Sequence, residues 1–181
     1  MPLDMSRVSR RTLLRGLGVG LLALGGVATF IRTSGYDLPA HRRGKLRVLD
    51  AAQFTILTAI ASCVCAADGS DAPSIEETDV VGFVDTFAVS MPGRMRRDLL
   101  LFLGVIEHVA PLFAKHATRF TLLPKASQDD VLSALEVHDN GLLRGGFAGL
   151  KALLFMGYYR DPKTWSLLNY DGPTIGRAVT P

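Results

Sequence analysis

From Leu49 onward the chain is a succession of apolar runs at helical spacing, divided by short polar or Gly/Pro-bearing breaks. No stretch alternates strictly enough to mark a strand. Asp50 precedes the first run and Gln53 completes a capping box three residues on. A helix is therefore expected to about Ala67, with Phe54, Leu57, Ala61 and Val64 on one stripe. The stretch from Asp68 to Pro73 breaks it. Ser74 and Glu77 repeat the box and open a second helix through Val80, Val81, Val84, Phe87 and Ala88, closed by Met91-Pro92-Gly93.

Leu99 to Phe113 is apolar at nearly every position, interrupted only by Gly104, Glu107, His108 and Pro111. A helix apolar all round is either a bundle centre or a membrane span. At a rise of about 1.5 Å per residue this run is too short to span, and it carries Glu107 and His108. Bundle centre is the expectation. After the link from Arg119 to Pro124, Ser127 and Asp130 open a fourth, more polar helix to about Val137. Asp139-Asn140-Gly141 turns the chain into a fifth, from about Leu142 to Tyr159. Its Gly145, Gly146, Gly149 and Gly157 allow a neighbouring helix, or a partner's backbone, to come close. Asp161-Pro162 then starts a short helical turn that holds Trp165. The pattern predicts one all-α domain over residues 41–181, a compact bundle of about five helices, with residues 1–40 set apart as a signal and linker.

Those first residues have a different grammar. Ser9-Arg10-Arg11-Thr12-Leu13-Leu14-Arg15, followed by a glycine-rich apolar run from Gly16 to Ile31, reads as a twin-arginine export signal. Arg15 stands where lysine is commoner. The run is short of the roughly 20 residues a membrane span needs, and Gly16, Gly18, Gly20, Gly25 and Gly26 lower its hydrophobicity further. Gly26-Val27-Ala28 is the best small-x-small site for removal, and retention as an uncleaved anchor stands as the alternative. The twin-arginine route carries folded proteins, so the destination is the periplasm, in association with the inner membrane.

Charge follows the same division. Residues 1–47 hold nine Lys/Arg and two Asp/Glu, whereas residues 48–181 hold eleven and fifteen. The sequence pI of about 9.1 therefore belongs to the leader and linker, and the body is mildly acidic. No basic stripe with interleaved aromatics remains in the body, which removes nucleic acid as a partner.

Candidate chemistry is sparse. Cys63 and Cys65 lie in an apolar helical pattern, where residues two apart point about 200° away from each other, and no third or fourth ligand is near. They read as buried structural thiols. His41, His108, His116 and His138 are scattered, and no His-Glu-x-x-His, Cys-x-x-Cys-His, Gly-x-Gly-x-x-Gly beyond a strand or Gly-x-Ser-x-Gly frame is present. The dense part is Gly157 to Pro173, which gathers three of the four tyrosines and the only tryptophan among turn-forming Asp-Pro and Asp-Gly-Pro steps. Tyr, Trp and Arg dominate interface hot spots because they join a large contact area to a polar tip.

The pattern Phe147-x-x-Leu150, then Gly157-Tyr158-Tyr159-x-Asp161-Pro162-x-x-Trp165-x-x-Leu168-x-Tyr170-x-Gly172-Pro173, resembles the C-terminal signature of the gluconate 2-dehydrogenase subunit 3 family. Phe120-x-x-Leu123, a helix carrying Val131, Leu132 and Leu135, and the twin-arginine leader fit as well, so the resemblance runs from about Leu49 to Pro173. It implies a non-catalytic small (gamma) subunit of a membrane-bound, FAD-dependent dehydrogenase of the glucose-methanol-choline type. FAD would reside in the partner catalytic subunit and no cofactor in this chain. A multihaem cytochrome c often completes such complexes, and the small subunit takes the flavoprotein through the twin-arginine translocon and supports its maturation. The implied export residues are Ser9, Arg10, Arg11, Leu13, Leu14 and Arg15. The implied partner-binding residues are Tyr158, Tyr159, Asp161, Pro162, Trp165, Tyr170, Gly172 and Pro173. Cys63, Cys65 and the cluster Arg94, Arg96 and Arg97 are not family features. The alternative is an independent exported helical protein that binds a small ligand or haem by itself, with His108 as the ligand.

Overall fold

The structure, a computed structural model, describes residues 35–65 and 72–172. The chain divides into two units at Tyr36–Asp37, and every element named below belongs to the second. Among the described residues there is no strand. Six helices follow one another: α1 Ala51–Val64, α2 Val80–Ser90, α3 Gly93–His108, α4 Ala110–Phe113, α5 Lys125–Glu136 and α6 Gly141–Tyr159. Short 3-10 turns lie at Ala40–Arg42, Phe120–Leu122 and Pro162–Leu168. The all-α expectation holds, with the third expected helix broken in two.

The expected box opens α1. Asp50 Oδ1 accepts from Gln53 N at 2.8 Å, and Gln53 Oε1 accepts from Asp50 N at 2.9 Å. Two backbone donors left over at the helix start are thereby paired. The helix ends at Val64, short of the expected Ala67, with Cys65 as its C-cap. Leu57, Ile60 and Ala61 are fully buried, and α1 packs on α2, α3, α5 and α6. It is the centre of the bundle.

The second box also forms, with Ser74 N donating to Glu77 Oε2 at 2.7 Å and Glu77 N to Ser74 Oγ at 3.1 Å. The helix does not begin there. Asp79 adopts the left-handed conformation (φ 49°), so α2 starts only at Val80. The Asp79 carboxylate is held by Arg42, and Gly82 leaves room for it: a Cβ there would stand 2.4 Å from Asp79 Oδ1.

The third helix departs furthest from expectation. Rather than starting at Leu99, α3 starts at Gly93, directly after the Pro92 break, which places Arg94, Arg96 and Arg97 in its opening turns. It stops at His108 because Pro111 has no N–H to continue the ladder, and α4 resumes beyond. Only Leu103, Ile106 and Glu107 are buried on α3, while Leu101 and Leu112 are 62% and 60% exposed. The expected bundle centre is a peripheral helix, since composition counts apolar residues without saying how many neighbours will cover them. Likewise, α5 begins at Lys125 behind Pro124, so Ser127 and Asp130 sit inside the helix instead of opening it. Asn140 caps α6 by accepting from Leu142 N at 2.9 Å.

The α6 glycines split into two kinds. A Cβ on Gly157 would come within 2.9 Å of Phe83 Cδ1 and 3.3 Å of Val80 Cγ1, where α6 crosses α2. One on Gly146 would stand 2.9 Å from Phe102. Gly145 and Gly149 meet nothing within 4 Å. Gly157→Ala is therefore expected to destabilise the fold by about 1–3 kcal/mol through overpacking. Gly145→Ala should stabilise it by about 0.5–1 kcal/mol through helix propensity alone. Urea unfolding followed by circular dichroism reads both, and a gain at Gly157 would mean that α2 and α6 part at no cost.

Two buried carboxylates tie the bundle to its linkers. Asp85, on α2, accepts from the backbone N–H groups of Arg47 (2.8 Å), Val48 (2.9 Å) and Leu49 (2.8 Å), fixing the approach to α1. Glu107, on α3 and fully buried, accepts from Thr121 N at 3.1 Å and Thr121 Oγ1 at 2.6 Å, with Arg119 Nε 3.7 Å away. Charged acceptors make the stronger hydrogen bonds, and these hold loops that have little apolar surface of their own.

Candidate functional site

The aromatic segment after α6 folds back on itself as one unit. Asp161 caps the turn Pro162–Leu168 by accepting from Lys163 N at 3.0 Å, and Pro162 supplies a preset φ at its start. Thr164, fully buried, donates to the carbonyl of Asp161 at 2.8 Å. Trp165 Nε1 donates to Tyr159 O at 3.1 Å, and the indole lies edge-on to Tyr170 with ring centroids 5.2 Å apart. Gly172 (φ +96°) closes the loop against the same ring: a Cβ would stand 2.6 Å from Trp165 Cζ3, so only glycine fits. Asn169, at φ 50°, makes the turn that brings Tyr170 back.

These contacts sort the expected partner-binding residues by depth. Tyr158 is 1% exposed, donates to Pro73 O at 2.7 Å and packs edge-on against Tyr159. Burial first, then the neighbouring Cys65, Tyr159 and Glu77, push its hydroxyl above the ordinary value, so it stays a donor at neutral pH. Tyr158 and the buried Gly172 thus support the segment from within. Tyr159, Asp161 and Trp165 are half-buried, and Pro162 and Tyr170 face solvent. Pro173 and the export residues Ser9, Arg10, Arg11, Leu13, Leu14 and Arg15 lie outside the described residues. The periodicity did not point to Leu167 and Leu168, which are 37% and 53% exposed beside Tyr170. An apolar pair in a 3-10 turn has no face to declare until the turn is docked.

Of the two thiols expected to be buried, Cys65 is, whereas Cys63 is only half-buried, because it lies on the side of α1 that α5 covers incompletely. Both are free. Burial pushes Cys65 up to about 11, and Cys63, raised chiefly by burial and then by its bond to Asp129, has its Sγ 3.6 Å from Gln128 Oε1. A protonated thiol is a poor nucleophile and a poor ligand. Gln128 also donates to Phe120 O at 3.1 Å, so the group joins α1, α5 and the Phe120–Leu122 turn. Among the described residues no three His, Cys, Asp or Glu side chains are placed to hold a metal ion, and no helix is long and apolar enough to cross a membrane. His108 is half-buried at the C-terminal end of α3.

The arrangement offers contact area and a rigid, internally braced rim. The sequence model described as gluconate 2-dehydrogenase subunit 3 matches residues 51–172, from the first residue of α1 to the glycine that closes on Trp165. No curated protein and no solved structure matches the chain.

Proposed function

Because the chain belongs to the gluconate 2-dehydrogenase subunit 3 family, we propose that it is the non-catalytic small subunit of an FAD-dependent dehydrogenase complex of the glucose-methanol-choline type. The family itself makes the chain a small accessory subunit associated with a dehydrogenase catalytic subunit. The finer reading is that it binds the folded flavoprotein, aids its maturation and takes it out of the cytoplasm on the twin-arginine signal around Arg10 and Arg11. The complex then works at the periplasmic side of the inner membrane, where a multihaem cytochrome c accepts its electrons.

The observation that carries the proposal is the family match, which ends on the braced aromatic segment. Tyr159, Trp165, Leu168 and Tyr170 together present a preformed surface, and a preformed surface spends little entropy on binding. The test is affinity capture of the tagged full-length chain from its host membranes. A flavoprotein in stoichiometric amount, with flavin absorbance in the eluate, is the expected result. A Soret band bound to this chain alone would favour the independent haem-binding reading, and an eluate without flavoprotein would defeat the accessory-subunit one.

A further inference from the structure

The run from Leu99 to Phe113 is apolar on nearly every side, yet it lies at the edge of the bundle. Leu103, Ile106, Glu107 and Ala110 turn inward and are buried. At about 100° per residue, the opposite stripe of α3 holds Arg94, Arg97, Leu101, Val105 and His108. Val109 keeps a right-handed backbone (φ −110°, ψ −45°), so the stripe runs on to Leu112 in α4. Leu101, Val109, Leu112 and Phe113 are exposed, and Val105 is half-buried among them. Single exposed leucines are ordinary, but a line of apolar side chains along one helix face marks an interaction surface.

The charges along this line are cationic. Arg94 and Arg97 share the stripe with Leu101 and are exposed, and Lys115, also exposed, follows Phe113 at the far end. None of these three side chains makes an ion pair or hydrogen bond among the described residues. The N-terminal end of a helix disfavours cations, so Arg94 and Arg97 stand where only an outside negative charge offsets them. The one acid nearby, Asp98, is at the edge of the stripe. There it lines a neighbouring apolar groove of about 620 Å³ between α2, α3 and α6, together with Met91, Met95, Phe102 and Met156.

We infer that the outward face of α3 and α4 lies against an anionic lipid surface, with Leu101, Val105, Leu112 and Phe113 at the headgroup–acyl boundary and Arg94 and Arg97 on lipid phosphates. The inference rests on the proposed location of the complex at the inner membrane. Shape and charge select this occupant. The stripe projects from the convex side of a helix whose other side is the core, and a lipid surface takes up projecting apolar groups without a fitted groove. Arginine stems lie along apolar surface while their heads reach phosphate. A second copy laid on the same stripe would bring Arg94 and Arg97 beside each other or beside Lys115, like charge against like. Among the described residues no helix is long and apolar enough to cross a membrane, so the contact is in the plane of the surface.

The test is flotation of the full-length chain with vesicles of phosphatidylethanolamine and phosphatidylglycerol. Each basic residue at an anionic surface is worth about a fivefold change in binding, so Arg94→Gln with Arg97→Gln should weaken the partition about twentyfold or more. Leu101→Gln with Leu112→Gln should weaken it about tenfold. All four side chains are exposed, so both variants should keep the circular dichroism of the wild type. Benzoylphenylalanine in place of Leu112, in the otherwise unchanged chain, should give a phospholipid adduct when host membranes are irradiated. Unchanged partition of both variants would mean that the leader alone holds the chain, and it overturns the inference. A cross-link from position 112 to a protein makes the face a subunit contact and overturns it too. Capture of the flavoprotein from a detergent extract separates the two readings. If the wild-type chain and both variants capture it while the partition is unchanged, only the lipid face is lost; if no chain captures it, the accessory-subunit reading fails whatever the vesicles show.

Discussion

Glu107→Ala is expected to cost about 3–5 kcal/mol of folding stability, the scale of breaking a buried charged pair from one side. The carboxylate is fully buried and receives both the backbone N–H and the hydroxyl of Thr121, with the Arg119 guanidinium beside it. Alanine leaves those donors facing a cavity. Each donor so stranded costs about 1–3 kcal/mol, far more than the net worth of one hydrogen bond when both partners are intact. Glu107→Gln keeps an acceptor for Thr121 and should lose less than half as much. Urea titration is the measurement: with a slope of about 1–3 kcal/mol/M, the alanine variant should move the midpoint by one molar or more. A loss below about 1 kcal/mol would mean that water or a shift of the Phe120–Leu122 turn satisfies the donors, and Glu107 would then be no anchor.

The second large effect concerns export. Arg10→Lys with Arg11→Lys should leave this chain and the flavoprotein together in the cytoplasm. Lysine keeps the charge but lacks the planar five-donor fork, so a receptor that reads guanidinium geometry loses its contacts. Hydrogen bonds to charged groups contribute about 1.5–3 kcal/mol each, so losing two lowers the periplasmic fraction by more than tenfold. Fractionation with immunoblots for both subunits, together with flavin-dependent dye reduction in the periplasmic fraction, reads the outcome. A flavoprotein that still reaches the periplasm would end the carrier role even if this chain stays behind. The substitutions lie far in sequence from Gly157–Pro173, so binding between the subunits should persist in the cytoplasmic extract.

What was legible in the chain were features whose partners are close in sequence. The Asp50–Gln53 and Ser74–Glu77 boxes form as expected, because three residues of separation settle whether the two side chains can meet. The Met91-Pro92-Gly93 and Asp139-Asn140-Gly141 breaks fall where helices begin. The aromatic residues after Tyr158 do form one local unit, since Trp165, Tyr170 and Gly172 are neighbours along the chain. Features that needed a distant partner were not legible. Glu107 interrupts an apolar run and carries no sign that Thr121 and Arg119 will return to it. Asp85 is one acid on an apolar helix, and the three N–H groups it gathers lie 36 to 38 residues earlier.

The chain by itself determined the all-helical class, the helix count among the described residues to within one, and the family. Each depends on local periodicity, capping or a motif, and these act over a few residues. Only the tertiary structure decided which helix is central. The Leu99–Phe113 run is the more apolar in composition, yet α1 holds the middle and α3 is left with one face uncovered. Burial is a property of packing: a residue is buried when other elements close over it, and helical spacing cannot say which helix will be surrounded. For the same reason the groove between α2, α3 and α6 was invisible in the sequence. Its methionines came together only when Gly146 let α6 settle against Phe102.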